Sequence, residues 1–206
     1  MARSKTSQKW LKEHFDDVYV QRAHQEGYRG RAAYKLLEIQ KRDHLIKPGM
    51  IVVDLGAAPG GWSQVVAKLL KGNGKIIAMD LLPIDPIDGV DFILGDFRDA
   101  EVIEQLKERI GDQKVDLVLS DIAPNMSGVS DVDQSRSMYL AELAFEFVKI
   151  VLKPHGCFLV KVFQGAEFEA FIKLLRSHFD RIVMRKPEAS RNRSRELYVL
   201  ASDLHS

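Results

Sequence analysis

Ile51-Val52-Val53-Asp54-Leu55-Gly56-Ala57-Ala58-Pro59-Gly60-Gly61-Trp62 runs a strand directly into a glycine-rich turn and then a helix. The first five residues are apolar except for one acid. They lack the polar–apolar alternation of a strand with one wet face, so they predict a parallel strand covered on both sides. In open α/β sheets, ligands occupy the crevice at the carboxyl ends of such strands. Gly56, Gly60 and Gly61 predict a turn whose backbone approaches a ligand with no Cβ in the way. The pattern suits a nucleotide-like cofactor. It is not the dinucleotide fingerprint, because Gly56-Ala57-Ala58-Pro59-Gly60-Gly61 does not follow G-x-G-x-x-G. It is not a phosphate-binding P-loop either, because no Lys-Ser/Thr follows the glycines.

The acids downstream sharpen this reading. Residues 75–80 form a second predicted strand ending in Asp80, a carboxylate suited to a ribose diol. A third, 90–94, ends at Gly95-Asp96, where an acid can accept from an exocyclic amine such as adenine N6. Strand-end aspartates also serve as helix caps and turn formers. Asp54, Asp80 and Asp96 at three successive strand ends, beside a glycine turn, favour a cofactor with a cationic or hydroxyl-rich head.

The remaining chain alternates helix and strand. Residues 31–42 predict a helix carrying Lys35, 62–70 the helix after the turn, and 99–110 an amphipathic helix with Val102, Ile103, Leu106 and Ile110 on one face. Residues 115–120 predict the fourth strand. A loop over 121–133, rich in Pro, Asn, Gly and Ser, follows at the cofactor edge. A long helix over 134–152 stops at Lys153-Pro154-His155-Gly156 before a fifth strand at 157–163. A helix at 167–178 and strands at 181–184 and 196–201 complete the series.

Five segments together resemble one family. Asp54 to Gln64 resembles the S-adenosylmethionine loop of the FtsJ/RlmE-type RNA 2'-O-ribose methyltransferases. Gly30-Arg31-Ala32-Ala33-Tyr34-Lys35-Leu36, Leu119-Ser120-Asp121-Ile122-Ala123-Pro124-Asn125, Phe158-Leu159-Val160-Lys161-Val162-Phe163 and Arg191-Asn192-Arg193-Ser194-Arg195-Glu196-Leu197-Tyr198 extend the match along nearly the whole chain. The resemblance implies a Rossmann-like α/β methyltransferase fold: a seven-stranded, mostly parallel sheet with helices on both faces and the last strand antiparallel. It also implies S-adenosylmethionine as cofactor.

Composition is consistent with one domain. The 206 residues, 46% hydrophobic, can bury a full α/β core, and no Pro/Ser-rich linker divides them. A single cysteine, Cys157, can build neither a disulfide frame nor a zinc site and reads as a buried strand residue. With no secretory segment and no apolar run of ~18 residues, a soluble cytoplasmic protein is expected. The net charge of +1 conceals a partition. Residues 1–47 hold eleven Lys/Arg against six Asp/Glu, 181–195 hold six against one, and 48–180 hold thirteen against twenty. Two basic ends around an acidic middle point to a polyanion partner. We therefore expect a basic RNA-binding arm at 1–30 and a catalytic domain at 31–206. Arg191, Arg193 and Arg195 recur at every second residue, which on an extended segment aims three guanidinium forks one way, an arrangement suited to phosphates.

Methylating a ribose 2'-hydroxyl requires a weakly acidic hydroxyl to be deprotonated or held in line behind an already activated sulfonium methyl group. Lys161 at a strand end is the candidate base. An ordinary lysine is protonated at neutral pH, with a pKa near ~10.4, so burial or a neighbouring cation such as Lys35 has to lower it. Asp121 and Glu196 are assigned to holding the amines and the substrate hydroxyl. By resemblance, Lys35, Asp121, Lys161 and Glu196 match the family's Lys-Asp-Lys-Glu tetrad. The expected cofactor residues are Asp54, Gly56, Pro59, Gly60, Trp62, Asp80, Asp96 and Asp121.

Other features carry less. Asn125-Met126-Ser127 has the form of a glycosylation acceptor but reads as loop. The six histidines show no ligand spacing, so no metal is expected. Trp10, Phe15, Tyr19 and Tyr28, interleaved with Lys9, Lys12, Arg22 and Arg29, either stack unpaired bases or form the apolar face of a docking segment. The resemblance implies a uridine of 23S rRNA in the assembled large ribosomal subunit as substrate, with no membrane partner and a monomeric enzyme. A tRNA anticodon-loop 2'-O-methyltransferase and a non-catalytic RNA-binding factor are the alternatives.

Overall fold

The computed structural model describes residues 17–124, 130–191 and 194–205. In chain order they form α1 (Val18–Glu26), α2 (Ala32–Asp43), β1 (Ile51–Leu55), α3 (Gly61–Leu70), β2 (Lys75–Asp80), β3 (Val90–Leu94) and α4 (Ala100–Ile110). These are followed by β4 (Val115–Ser120), α5 (Ser130–Val151), β5 (Leu152–Phe163), α6 (Phe168–Arg176), β6 (Phe179–Arg185) and β7 (Glu196–Leu204). The strands make one seven-stranded sheet in the order β3-β2-β1-β4-β5-β7-β6. Strands β1 to β5 pair in parallel. Strand β7 runs antiparallel between β5 and β6.

Side-chain alternation along the sheet splits the core in two. Ile51, Val53 and Leu55 of β1 join Ile77, Leu106, Phe145 and Phe171 on the face covered by α4, α5 and α6. Val52 joins Leu36, Trp62, Val66, Leu159, Tyr198 and Leu200 on the face covered by α2 and α3. Both faces are dry, which is why the strands read as continuous apolar runs.

Two boundaries differ from expectation. Helix α5 begins at Ser130, with Asp131 and Asp133 in its first turn, so the predicted loop is shorter by four residues. Acids in a first turn complement the helix dipole and so favour the earlier start. Strand β5 begins at Leu152, directly after α5, and a register shift opposite Val115–Leu117 accommodates the Pro154–Gly156 irregularity. A bulge absorbed what read as a helix stop.

The N-terminal segment is part of this body from residue 17. Asp17 caps α1 by accepting from the Tyr19 N–H at 3.0 Å, and it pairs with Arg31. Tyr19 and Tyr28 pack on Tyr34 with ring centroids 5.5 and 5.8 Å away. For these two tyrosines the docking alternative holds. Trp10, Phe15, Lys9 and Lys12 lie outside the described residues.

Candidate active site

The sheet carries the chemistry at its carboxyl edge through strand register. Lys161 of β5 and Tyr198 of β7 are paired residues, and Glu196 lies two positions from Tyr198 on the same face. That face is the one α2 covers, so Lys35 descends onto it. The result is a continuous chain of polar contacts. Lys161 Nζ lies 3.1 Å from Asp121 Oδ1 and donates to the Asp121 carbonyl at 2.7 Å. The Tyr198 hydroxyl donates to Asp121 Oδ1 at 2.9 Å and accepts from Lys35 Nζ at 3.1 Å. Lys35 Nζ lies 2.6 Å from Glu196 Oε1. Asp121 is held in turn by its own N–H, which donates to the Leu55 carbonyl at 3.1 Å, continuing the β1–β4 ladder past the strand end.

Each amine is therefore matched to one acid, in a nearly dry setting: the Lys161 side chain is 7% exposed. Burial pushes the Glu196 carboxyl up, but the Lys35 charge and hydrogen bond together hold it below the usual range. Burial, followed by the Asp121 and Glu196 carboxylates, drives the Tyr198 phenol well above its ordinary value, so it stays a neutral donor. The four expected tetrad residues come together as expected. Tyr198, which joins their two halves, was quoted in the sequence but given no role. The period of two from Glu196 on a predicted strand was the signal that could have found it.

Beside this network is a cavity of about 830 Å³ lined by residues including Gly56, Ala58, Asp80, Asp96 and Asp121, with Leu81, Leu82, Arg98, Ser135, Arg136 and Tyr139 completing its walls. Asp80 is fixed by two backbone donors: the Ala58 N–H reaches one oxygen and the Leu82 N–H the other, each at 2.8 Å. Each oxygen keeps a free lone pair for a diol. Asp96 faces the cavity with Arg98 forked onto it, Nε at 2.9 and 3.1 Å and Nη2 at 2.5 Å. The Arg98 side chain and then its backbone N–H hold the Asp96 carboxyl below its usual value. The donor set of acids fits a cofactor that carries hydroxyls, an amine and positive charge. The α5 residues Ser135, Arg136 and Tyr139 were not anticipated as cavity walls, because only the tertiary packing brings that helix over the strand ends.

Several expected cofactor residues take other places. Trp62 is 3% exposed, and its indole N–H donates to the Ala32 carbonyl at 2.8 Å. Its ring packs 5.6 Å from that of Tyr198, so it supports the tetrad from within the core rather than lining the cavity. Asp54 is wholly buried: Oδ2 accepts from the Ser63 hydroxyl at 2.6 Å, and Oδ1 has no partner. Burial, opposed by the Ser63 hydrogen bond and reinforced by Asp121 and Asp80, pushes its carboxyl up to about 7.

Packing places a further demand on the glycines of the turn. A Cβ on Gly56 would sit 2.8 Å from the Ile122 backbone, and one on Gly60 would sit 2.9 Å from Ile87 Cδ1. Both have positive φ, at 79° and 107°. Protein atoms press on both positions, and Gly56 also lines the cavity. The exposed Pro59 closes the turn behind them, with its carbonyl facing Arg29 Nη1 at 3.5 Å.

The alignment expected of Arg191, Arg193 and Arg195 turns on Arg193, which lies outside the described residues. The Ser194 N–H donates to the Arg191 carbonyl at 2.9 Å. Lys186 Nζ donates to the Ser194 carbonyl at 2.6 Å and also to that of Glu196. Arg193 and the Asn125-Met126-Ser127 stretch lie outside the described residues.

A family model described as FtsJ-like methyltransferase matches residues 28–204. The Ribosomal RNA large subunit methyltransferase E of Nitrosospira multiformis is 58% identical over 200 residues, covering 97% of this chain and 97% of that protein. The protein of the same name from Cellvibrio japonicus is 56% identical over 200 residues, covering 97% and 95%. Among solved structures, one described as a ribosomal RNA methyltransferase from Plasmodium falciparum superposes with a TM-score of 0.78 at 31% identity, over 86% of this chain and 98% of that one.

Proposed function

The chain belongs to the FtsJ-like methyltransferase family, and from that premise we propose that it transfers a methyl group from S-adenosylmethionine to a ribose 2'-hydroxyl of a uridine in 23S rRNA. The observation that carries this reading is the Lys161–Asp121–Tyr198–Lys35–Glu196 network at the strand ends, joined through Asp121 to a cavity walled by Asp80 and Asp96.

When bound, S-adenosylmethionine supplies an electrophilic sulfonium methyl group. Asp80 is assigned to the ribose diol, Asp96 to the adenine amine and Asp121 to the cationic head. The Gly56–Gly60 turn provides the floor. Lys161 has three positions on nitrogen, and two are engaged by the Asp121 carbonyl and carboxylate. The third meets the 2'-oxygen, takes its proton or fixes it in line with the methyl group. Tyr198 keeps Asp121 oriented, and Lys35 is held by Glu196 at the far end of the same network.

Basic residues of 1–47 and 181–195 that are not tied within the protein, as Arg29, Lys35, Arg185 and Lys186 are, supply the phosphate contacts, with residues 1–30 as the arm that engages RNA. The substrate is the assembled large subunit, approached by a monomer in the cytoplasm. Among the described residues no helix is long and apolar enough to cross a membrane.

Transfer of labelled methyl groups to large ribosomal subunits, free 23S rRNA and tRNA tests the reading. Label recovered as 2'-O-methyluridine from the subunit is the expected result. Label on a base, label confined to tRNA, or no transfer at all would refute it.

A further inference from the structure

Arg29 lies in the short connection between α1 and α2, and its guanidinium spans two loops that belong to the cavity. Nη2 donates to the Pro86 carbonyl at 2.8 Å, while Nη1 donates to the Asp85 carbonyl and, at 3.5 Å, to that of Pro59. Its backbone is fixed separately. The Arg29 N–H donates to Gln64 Oε1 at 2.8 Å, and Gln64 Nε2 donates to the Gly27 carbonyl at 3.1 Å. Lys68 of the same helix lies over the neighbouring Tyr28 ring at 3.8 Å.

The two loops so joined are the glycine turn after β1 and the 81–89 connection between β2 and β3. Asp80 joins the same two segments through the Ala58 and Leu82 amides. Asp80, Ala58 and Leu82 line the cavity, and Arg29 is not among its lining residues. One bridge is a carboxylate reading amides at the cavity wall; the other is a guanidinium reading carbonyls behind it. There is little slack between them. A Cβ on Gly60 would come within 3.0 Å of Arg29 Nη1 and 2.9 Å of Ile87 Cδ1.

We propose that Arg29 is a positioning residue for the methyl donor: it clamps the glycine turn against the 81–89 connection so that Asp80 and the turn's backbone keep the geometry that receives the cofactor. This rests on the assignment of the cavity to S-adenosylmethionine. By its place in the basic N-terminal segment Arg29 would be counted as a phosphate ligand. Its donors are instead directed at three main-chain carbonyls, which leaves that fork committed within the protein.

The test is calorimetric titration of S-adenosylmethionine into the wild-type protein, Arg29→Gln and Arg29→Lys, with RNA affinity measured on the same proteins against salt. Losing hydrogen bonds from a charged group weakens cofactor binding roughly tenfold in Arg29→Gln. Arg29→Lys falls between, because a single amine reaches fewer carbonyls. The KM for cofactor rises in step, kcat at saturating cofactor stays near wild type, and the RNA salt slope does not change. An Arg29→Gln protein with wild-type cofactor affinity overturns the role, and so does a variant whose main defect is weaker RNA binding with a flatter salt slope. A wild-type protein that fails to bind S-adenosylmethionine overturns the cavity assignment together with it. Thermal melts confirm folding, and if Arg29→Gln unfolds, Arg29→Lys carries the comparison.

Discussion

Lys161 on β5 and Tyr198 on β7 are direct partners across an antiparallel pair, and both reach the same oxygen: Asp121 Oδ1 lies 3.1 Å from the lysine amine and 2.9 Å from the tyrosine hydroxyl. A carboxylate gripped from two strands has little rotational freedom, so the amine it holds is preorganised before substrate arrives. Preorganised groups add to the rate because they need no rearrangement in the transition state.

Lys161→Ala removes the group placed against the 2'-oxygen. Single-turnover methyl transfer to the large subunit should fall by ~10²- to 10⁴-fold, the usual range for a general base. Cofactor and RNA affinities should hold, since the defect lies in the transition state. Near-normal turnover would remove Lys161 from the mechanism.

Tyr198→Phe deletes only the hydroxyl between Asp121 and Lys35 and keeps a ring that is fully buried. Losing its two hydrogen bonds to charged partners should slow transfer about tenfold, far less than loss of the lysine. Because Tyr198 acts on Lys161 through Asp121, Lys161→Ala and Tyr198→Phe should combine to little more than Lys161→Ala alone. A double-mutant cycle reads this, and full additivity would separate the two residues.

Asp54 sets a pH dependence of stability. Burial raises its carboxyl to about 7 in the folded protein, above the ordinary 3.8 of an exposed aspartate. The folded state therefore binds a proton that the unfolded state has lost. Its contribution is complete below about pH 4 and declines as pH rises to about 7. Asp54→Asn, which mimics the neutral acid, should flatten this part of the profile and exceed the wild type at pH 8 by up to about 4 kcal/mol. Urea denaturation at a series of pH values measures it. Parallel profiles for the two proteins would show that Asp54 keeps an ordinary pKa.

Arg185 and Asp43 join β6 to the end of α2 through two hydrogen bonds at 2.8 and 2.5 Å, with side chains 11% and 7% exposed. The Arg185 hydrogen bonds outweigh burial and hold the Asp43 carboxyl below its usual value. Asp43→Ala strands a part-buried guanidinium and should cost about 1–3 kcal/mol, read as a lower denaturation midpoint. An Asp43→Leu/Arg185→Met double variant should recover most of that loss, since it leaves no unpaired charge. Equal losses in single and double variants would argue against the pair.

The sheet was legible because burial on both faces writes itself into composition. Val52, Val53, Ile77, Leu117 and Leu159 leave no polar side to a strand, and each run ends at an acid or a turn. The tetrad was legible through motif resemblance, residue by residue. Strand register and helix docking were not, because both depend on partners distant in the chain. Tyr198 was invisible as a connector until β7 paired with β5, and Trp62 looked like a ligand contact until its indole met Ala32 and Tyr198. The crowding of the glycines was not legible, since only packing reveals that Ile122 and Ile87 press on them. Local sequence thus determined which polar residues stand at which strand ends. Tertiary structure alone decided which of them touch, because a hydrogen bond between residues 35 and 198 depends on the docking of a helix onto a sheet whose register no local pattern encodes.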